Sequence, residues 1–167
     1  AFRRYASTRS ISITAIQKFD EPMEDEALIL PGVGNFGQAI DYLEQEQLSA
    51  ALNKYFEHSL VIGICLGMQI LLAESEESPG SSGLSIFSGV CRRIPSDTSF
   101  RVPHIGWNQV YPNQNTANIF STTNSLSTKD YYFVHSYYCD PNDSDCVSSS
   151  FLHPTMGLLP ASIELEK

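Results

Sequence analysis

The 167-residue chain is short of basic residues, of cysteine and of long apolar runs, and each shortage removes a class of function. Ten Lys and Arg stand against 19 Asp and Glu, a net charge of −9, so no cationic face is offered to nucleic acid or to an anionic membrane. No apolar run approaches the roughly 18 residues of a membrane-spanning helix, and the longest are strand-sized. The cysteines, Cys65, Cys91, Cys139 and Cys146, are too few and too scattered for a disulfide scaffold, and no C-x-x-C pair is present for zinc. Free thiols of the cytoplasm, or of a plastid stroma, fit this usage. There is no internal repeat, and no glycine-rich loop ends in the Gly-Lys-Ser/Thr of a phosphate-binding P-loop.

What is present suits one α/β domain over residues 1–167: 42% of the chain is apolar and 11% aromatic, enough for one sizeable core. Residues 1 to 7 read as the end of a helix, and Ile11 to Ile16 alternates as a half-buried strand does. Residues 27 to 30 form a short buried strand that Pro31 should stop. Leu48, Leu52, Tyr55 and Phe56 fall at i, i+4, i+7 and i+8, an amphipathic helix leading into a strand that begins at Leu60. This alternation predicts a mostly parallel sheet flanked by helices, with the site at the strand C-terminal ends. After Glu77 the texture changes. Residues 78 to 83 read as a loop, and the strand-like runs 87 to 94, 107 to 111 and 131 to 138 lack long helices between them, which predicts an added antiparallel region. Residues 116 to 128 read as an irregular surface connection, and the acidic runs 21 to 26 and 74 to 77 as exposed faces.

The most informative stretch is Gly63-Ile-Cys65-Leu-Gly67, where the strand Leu60, Val61, Ile62, Ile64 hands over to a segment with apolar residues at Met68, Leu71 and Leu72. One cysteine between two glycines at a strand-to-helix turn has the form of a nucleophile elbow, in which the turn strains the backbone at the nucleophile and leaves no room for side chains at the glycines. A helix N-terminus also favours the thiolate over a thiol whose ordinary pKa is about 8.5. The alternative is a small buried thiol of the core. A second loop, Pro31-Gly-Val-Gly34, follows a strand and precedes a helix; its glycines let the backbone turn N–H groups toward a ligand, as an oxyanion hole requires. Gln69 lies one helical turn after Cys65 on the same face, within reach of whatever the thiolate attacks.

Four segments in order along nearly the whole chain resemble the class I (triad) glutamine amidotransferases, and within them the glutaminases of imidazole glycerol phosphate synthases. They are Ala27-Leu-Ile-Leu-Pro31-Gly-Val-Gly34-Asn-Phe-Gly37, Gly63-Ile-Cys65-Leu-Gly-Met-Gln69, Pro103-His-Ile-Gly-Trp107-Asn108 and Phe133-Val-His135-Ser-Tyr-Tyr138. The resemblance implies a flavodoxin-like fold, Cys65 as nucleophile, and oxyanion amides at Leu66 and near Val33 and Gly34. It implies contacts to the substrate glutamine from Gln69, Ser136, Tyr137 and Tyr138. It also implies a (β/α)₈-barrel cyclase, separate or fused, meeting Pro103, Trp107 and Asn108; for Trp107 a buried place in the core is the alternative. It brings no cofactor and no metal.

His104 and His135 sit in strand-like runs and read as hydrogen-bonded structural residues. His153-Pro154 is followed by Thr155, whereas the family's catalytic pair is a His-Pro-Glu. Residues 157 to 167 resemble the segment just before the strand leading into that motif, and residues 1 to 5 the middle of the first helix. The expectation is therefore a domain lacking its first strand and its His-Pro-Glu segment, inactive as given because the base lies beyond Lys167. The loop 139 to 146 fails as a calcium loop, since Asp145 and Phe151 stand where glycine and glutamate are needed. Other readings left open are an amidotransferase of another pathway, a catalytically inactive partner-binding module, and a cysteine hydrolase with no ammonia acceptor.

Overall fold

The computed structural model describes residues 27–96, 101–113 and 128–165. The helix end at 1 to 7, the strand at 11 to 16, the acidic run 21 to 26 and the connection at 116 to 127 fall outside the described residues.

Strand β1 (Ala27–Gly32) pairs in parallel with β2 (Leu60–Cys65), in register from Ala27 opposite Leu60 to Gly32 opposite Cys65. Pro31 does not stop β1, because a proline near a strand end is tolerated where its missing N–H is not part of the ladder. The crossover between them holds two helices, α1 (Phe36–Gln45) and α2 (Ser49–His58). Helix α1 starts at Asn35, whose side chain accepts from the Gln38 N–H at 3.1 Å. It buries Phe36 and Ile40, one turn apart, against Leu66 and Ile70. Helix α2 buries Leu52 and Tyr55 against Leu28, as its apolar spacing predicts.

After β2 the chain departs from expectation. Helix α3 (Leu66–Gln69) is a single turn, and Leu72, expected on its apolar face, opens strand β3 (Leu72–Ser75). The reason is non-local. The carbonyls of Ile70, Leu71, Leu72 and Ala73 accept from the amides of Leu84, Phe87, Ser85 and Gly83, so the i+4 bonds of a longer helix have no acceptors. Strand β3 runs parallel to β4 (Phe87–Arg93).

The second half is antiparallel. Strand β5 (His104–Pro112) pairs with β6 (Lys129–His135); β7 (Tyr137–Pro141) pairs with β4; and β8 (Val147–His153) joins β5 to β9 (Gly157–Ile163). The order is thus β3-β4-β7 in one sheet and β6-β5-β8-β9 in another. The run 131 to 138, expected as one strand, is two strands in different sheets. The chain crosses between them at Ser136, whose carbonyl accepts from the Ile94 N–H at 2.9 Å. Two of the six pairings are parallel, so among the described residues the added antiparallel region outweighs the parallel part.

One face of the four-stranded sheet carries a core of Val110, Phe151 and Leu159. The period of two puts Ile105, Trp107, Tyr132 and Val134 on the other face, all exposed. Phe151 is fully buried and touches the rings of Phe133, His104 and His135. Phe151→Ala should therefore cost about 3–5 kcal/mol of unfolding free energy. Denaturant unfolding should show this as a lower midpoint with an unchanged slope; a loss below about 1 kcal/mol would contradict this packing.

Candidate active site

Cys65 ends β2 at φ 56° and ψ −115°, a left-handed backbone on a residue with a side chain. Such a conformation typically costs about 1–3 kcal/mol and persists only where the surroundings dictate it. The flanking glycines provide that constraint. A Cβ on Gly63 would lie 2.5 Å from the Gly67 carbonyl oxygen, and one on Gly67 would overlap the Leu30 carbonyl oxygen. The turn can pack against β1 only with glycine at both positions, as the sequence pattern predicts.

The register of β1 and β2 sets Gly32 beside Cys65 and so brings the loop 33–35 to the elbow. A Cβ on Gly32 would be 3.0 Å from the Leu66 Cβ, and one on Gly34 would be 3.9 Å from the Leu66 Cδ2. Gly34 has φ +129°, open to glycine and not to other residues. Val33 is 93% exposed, so its side chain forms no wall. The loop is held from behind. The Phe36 N–H donates to Glu77 Oε2 at 2.6 Å, the Gly37 N–H to Ser78 Oγ at 2.9 Å, and Ser78 Oγ to Asn35 Oδ1 at 3.2 Å. Glu77, expected on a solvated face, caps α1 instead, where a carboxylate complements the exposed N–H groups. Nothing in the acidic run distinguishes it from its neighbours.

A cavity of about 250 Å³ opens at Cys65, walled by Met68, Gln69, His135, Tyr137 and Tyr138 among others. Gln69 is buried, and its Nε2 donates to the Tyr137 carbonyl at 3.4 Å. Burial first and the Asp140 carboxylate second push the Tyr138 phenol above its ordinary range, keeping it a neutral donor. Ser136 does not line this cavity. Of the residues expected at a partner surface, Trp107 is 70% exposed and meets Tyr132 edge to face at 5.5 Å, which rules out a place in the core. Pro103 is exposed as well. Asn108, next to Trp107 in β5, turns its Nδ2 to the Nε2 of His104 at 2.9 Å, on the opposite face.

His104 and His135 are opposite one another in β5 and β6, with His104 Nδ1 and His135 Nε2 2.9 Å apart. The Nδ1 of His135 donates to the Tyr137 carbonyl at 2.9 Å. Both are hydrogen-bonded as expected, but no pattern in the sequence shows that they meet. His153 of β8 stands edge-on to His104 with centroids 6.1 Å apart. Burial, then His135 and His153, push His104 below its ordinary 6.5. Burial also lowers His135, with the Tyr137 carbonyl opposing and His153 assisting. The segment 139 to 146 closes as a short 3₁₀ turn, Ser144–Cys146, with the Asp143 side chain accepting from the Asp145 N–H at 2.9 Å. Among the described residues no group of three His, Cys, Asp or Glu is placed to hold a metal.

Thiol reactivity and pH dependence both test this geometry. Cys91 and Cys139 are fully buried, with their sulfurs 4.0 Å apart; the hydrogen bond to Cys91 first, then burial, raises the Cys139 thiol well above its ordinary range. Burial and Asp143 raise Cys146 too, whereas Cys65 is exposed. Iodoacetamide with peptide mapping should label Cys65 first, and faster labelling of Cys91 or Cys139 in folded protein would contradict the packing. For pH, the sign follows from the two imidazoles. Because both are lowered when folded, the folded chain holds fewer protons than the unfolded one as pH falls through 6.5, so their contribution to stability is complete above that value and lost below it. The melting temperature should drop as pH falls below 6.5, and less steeply in H104N/H135N; equal slopes would contradict the assignment.

Residues 3–166 match the family model for class-I glutamine amidotransferases. The imidazole glycerol phosphate synthase subunit HisH of Streptococcus sanguinis is 44% identical over 121 residues, covering 72% of this chain and 56% of the relative. The chloroplastic imidazole glycerol phosphate synthase hisHF of Arabidopsis thaliana is 36% identical over 142 residues, 83% of this chain and 23% of the relative. The chain thus spans little more than half of the first and about a quarter of the second. In fold, a crystal structure of a glutamine amidotransferase superposes with a TM-score of 0.63 at 16% identity, over 89% of this chain and 72% of the other. The chain belongs to the class-I glutamine amidotransferase family.

Proposed function

We propose that this chain is the glutaminase part of an imidazole glycerol phosphate synthase, delivering ammonia from glutamine to a (β/α)₈-barrel cyclase in histidine biosynthesis. The observation that carries it is Cys65 in its strained elbow at a cavity shared with Gln69 and Tyr137. The relatives' names supply the synthase.

The Cys65 thiolate attacks the side-chain amide carbon of glutamine. The negative charge that develops on the carbonyl oxygen meets the backbone N–H of Leu66 and an N–H at Val33 or Gly34, each typically worth about 2.7–4 kcal/mol of transition-state stabilisation. The C–N bond breaks, ammonia leaves with the proton it needs, and a γ-glutamyl thioester remains; water then cleaves it to glutamate and free thiol. Gln69, Tyr137 and Tyr138 hold the amino-acid end of the substrate, with Ser136 contributing through its backbone. On the outer sheet face Trp107, together with the exposed Pro103, meets the cyclase, a large amphipathic contact suited to an interface. Asn108 supports that strand from its inner face.

The proton transfers need a base. The chain has four histidines, and only His135 lines the cavity with Cys65; both its ring nitrogens are already engaged. In the proposed reaction the base is a histidine oriented by glutamate, as the family resemblance implies, and His135 is not that base. Four free thiols favour the cytoplasm or a plastid stroma.

The test is glutamate release with the cyclase and its nucleotide substrate present. A full-length protein should turn over glutamine and lose that activity in Cys65→Ser. Turnover surviving Cys65→Ser would overturn the reading.

A further inference from the structure

The two histidines of the cavity wall have one consistent proton arrangement when neutral. A carbonyl oxygen only accepts, so His135 donates to Tyr137 from Nδ1 and its Nε2 is bare. That nitrogen accepts from His104 Nδ1–H, which leaves His104 Nε2 bare, and it accepts in turn from the Asn108 amide. The chain Asn108, His104, His135 thus ends on one oxygen. The same Tyr137 oxygen takes the Gln69 Nε2–H at 3.4 Å, so its two lone pairs are shared between His135 and Gln69. With its nitrogen on Tyr137, the Gln69 side chain has its oxygen as the end that can accept an N–H from a ligand in the cavity beside Cys65.

We propose that His135, its tautomer fixed by His104 and Asn108, is a positioning residue for the amino-acid substrate: it holds the Tyr137 carbonyl, and through it the Gln69 amide, in the orientation that receives glutamine. The inference rests on the glutaminase reading above. His135 takes no part in proton transfer to the substrate, since neither ring nitrogen is spare. Its loss weakens binding of substrate and transition state alike, the signature of a raised KM with kcat nearly kept.

The experiment uses the full-length protein with its cyclase. His135→Leu removes the donor; His135→Asn keeps one, because the asparagine Nδ2 lies close to where the imidazole Nδ1 was. In His135→Leu the KM for glutamine should rise about tenfold, the equivalent of one ordinary hydrogen bond, with kcat within about threefold; His135→Asn should recover most of the KM. Equal KM changes in both variants, or none in either, overturn the positioning role. Ring ¹⁵N NMR of the unsubstituted protein at pH 8 gives a readout that needs no activity and no variant: His104 and His135 should both carry the proton on Nδ1, and an Nε2–H tautomer at His135 overturns the chain. Should the unsubstituted protein fail to turn over glutamine, the glutaminase reading falls and the substrate role with it. Normal turnover with an unchanged KM in His135→Leu removes the positioning role alone.

Discussion

Everything at the site depends on how closely the turn after β2 packs against β1. At Gly67 the two backbones meet with no space for a methyl group beside the Leu30 carbonyl, and at Gly63 the strand lies against the Gly67 carbonyl. That approach forces Cys65 into a left-handed conformation and projects its sulfur away from the sheet, into the cavity. It also brings the loop after β1 against Leu66, so Cys65 and the proposed oxyanion amides come from one packing event. The strain at Cys65 is offset by the apolar contacts behind it, where Phe36, Ile40, Leu66 and Ile70 form one cluster.

The antiparallel half supplies the opposite wall. The crossing of the chain at Ser136 places β6 in one sheet and β7 in the other, so the residues on either side of it, His135 and Tyr137, face the same cavity. On the far side of β5 and β6 the apolar residues Ile105, Trp107, Tyr132 and Val134 stay exposed. One strand pair therefore carries the cavity wall on its inner face and the proposed partner surface on its outer face, separated by a single layer of backbone.

Legibility in the sequence follows the range of the interactions. The elbow is readable because its constraint is local: a cysteine between two glycines after a β-branched strand already holds the whole steric requirement of the turn. Helix α2 is readable because Leu52 and Tyr55 report their own buried face. The length of α3 is not, because its carbonyls are taken by residues 83–87, which no local pattern announces. The break at Ser136 is hidden because aromatic residues flank it on both sides and the run 131 to 138 reads as one strand. The pairing of His104 with His135 depends on the register of β5 on β6, and strand alternation alone cannot supply a register. Alternation does separate Trp107 and Asn108 onto opposite faces, a distinction that their shared motif conceals.

The central claim is that Cys65 forms a covalent bond to the γ-carbonyl of glutamine, and it is tested most directly by trapping that intermediate. The full-length protein with its cyclase is mixed with glutamine, quenched in acid within the first turnover, and digested for mass spectrometry. The account predicts a γ-glutamyl adduct on the peptide containing Cys65, dependent on glutamine and cleaved by hydroxylamine. An adduct on Cys146 or another residue, or glutamate formed with no acylated Cys65 at any time, would contradict it.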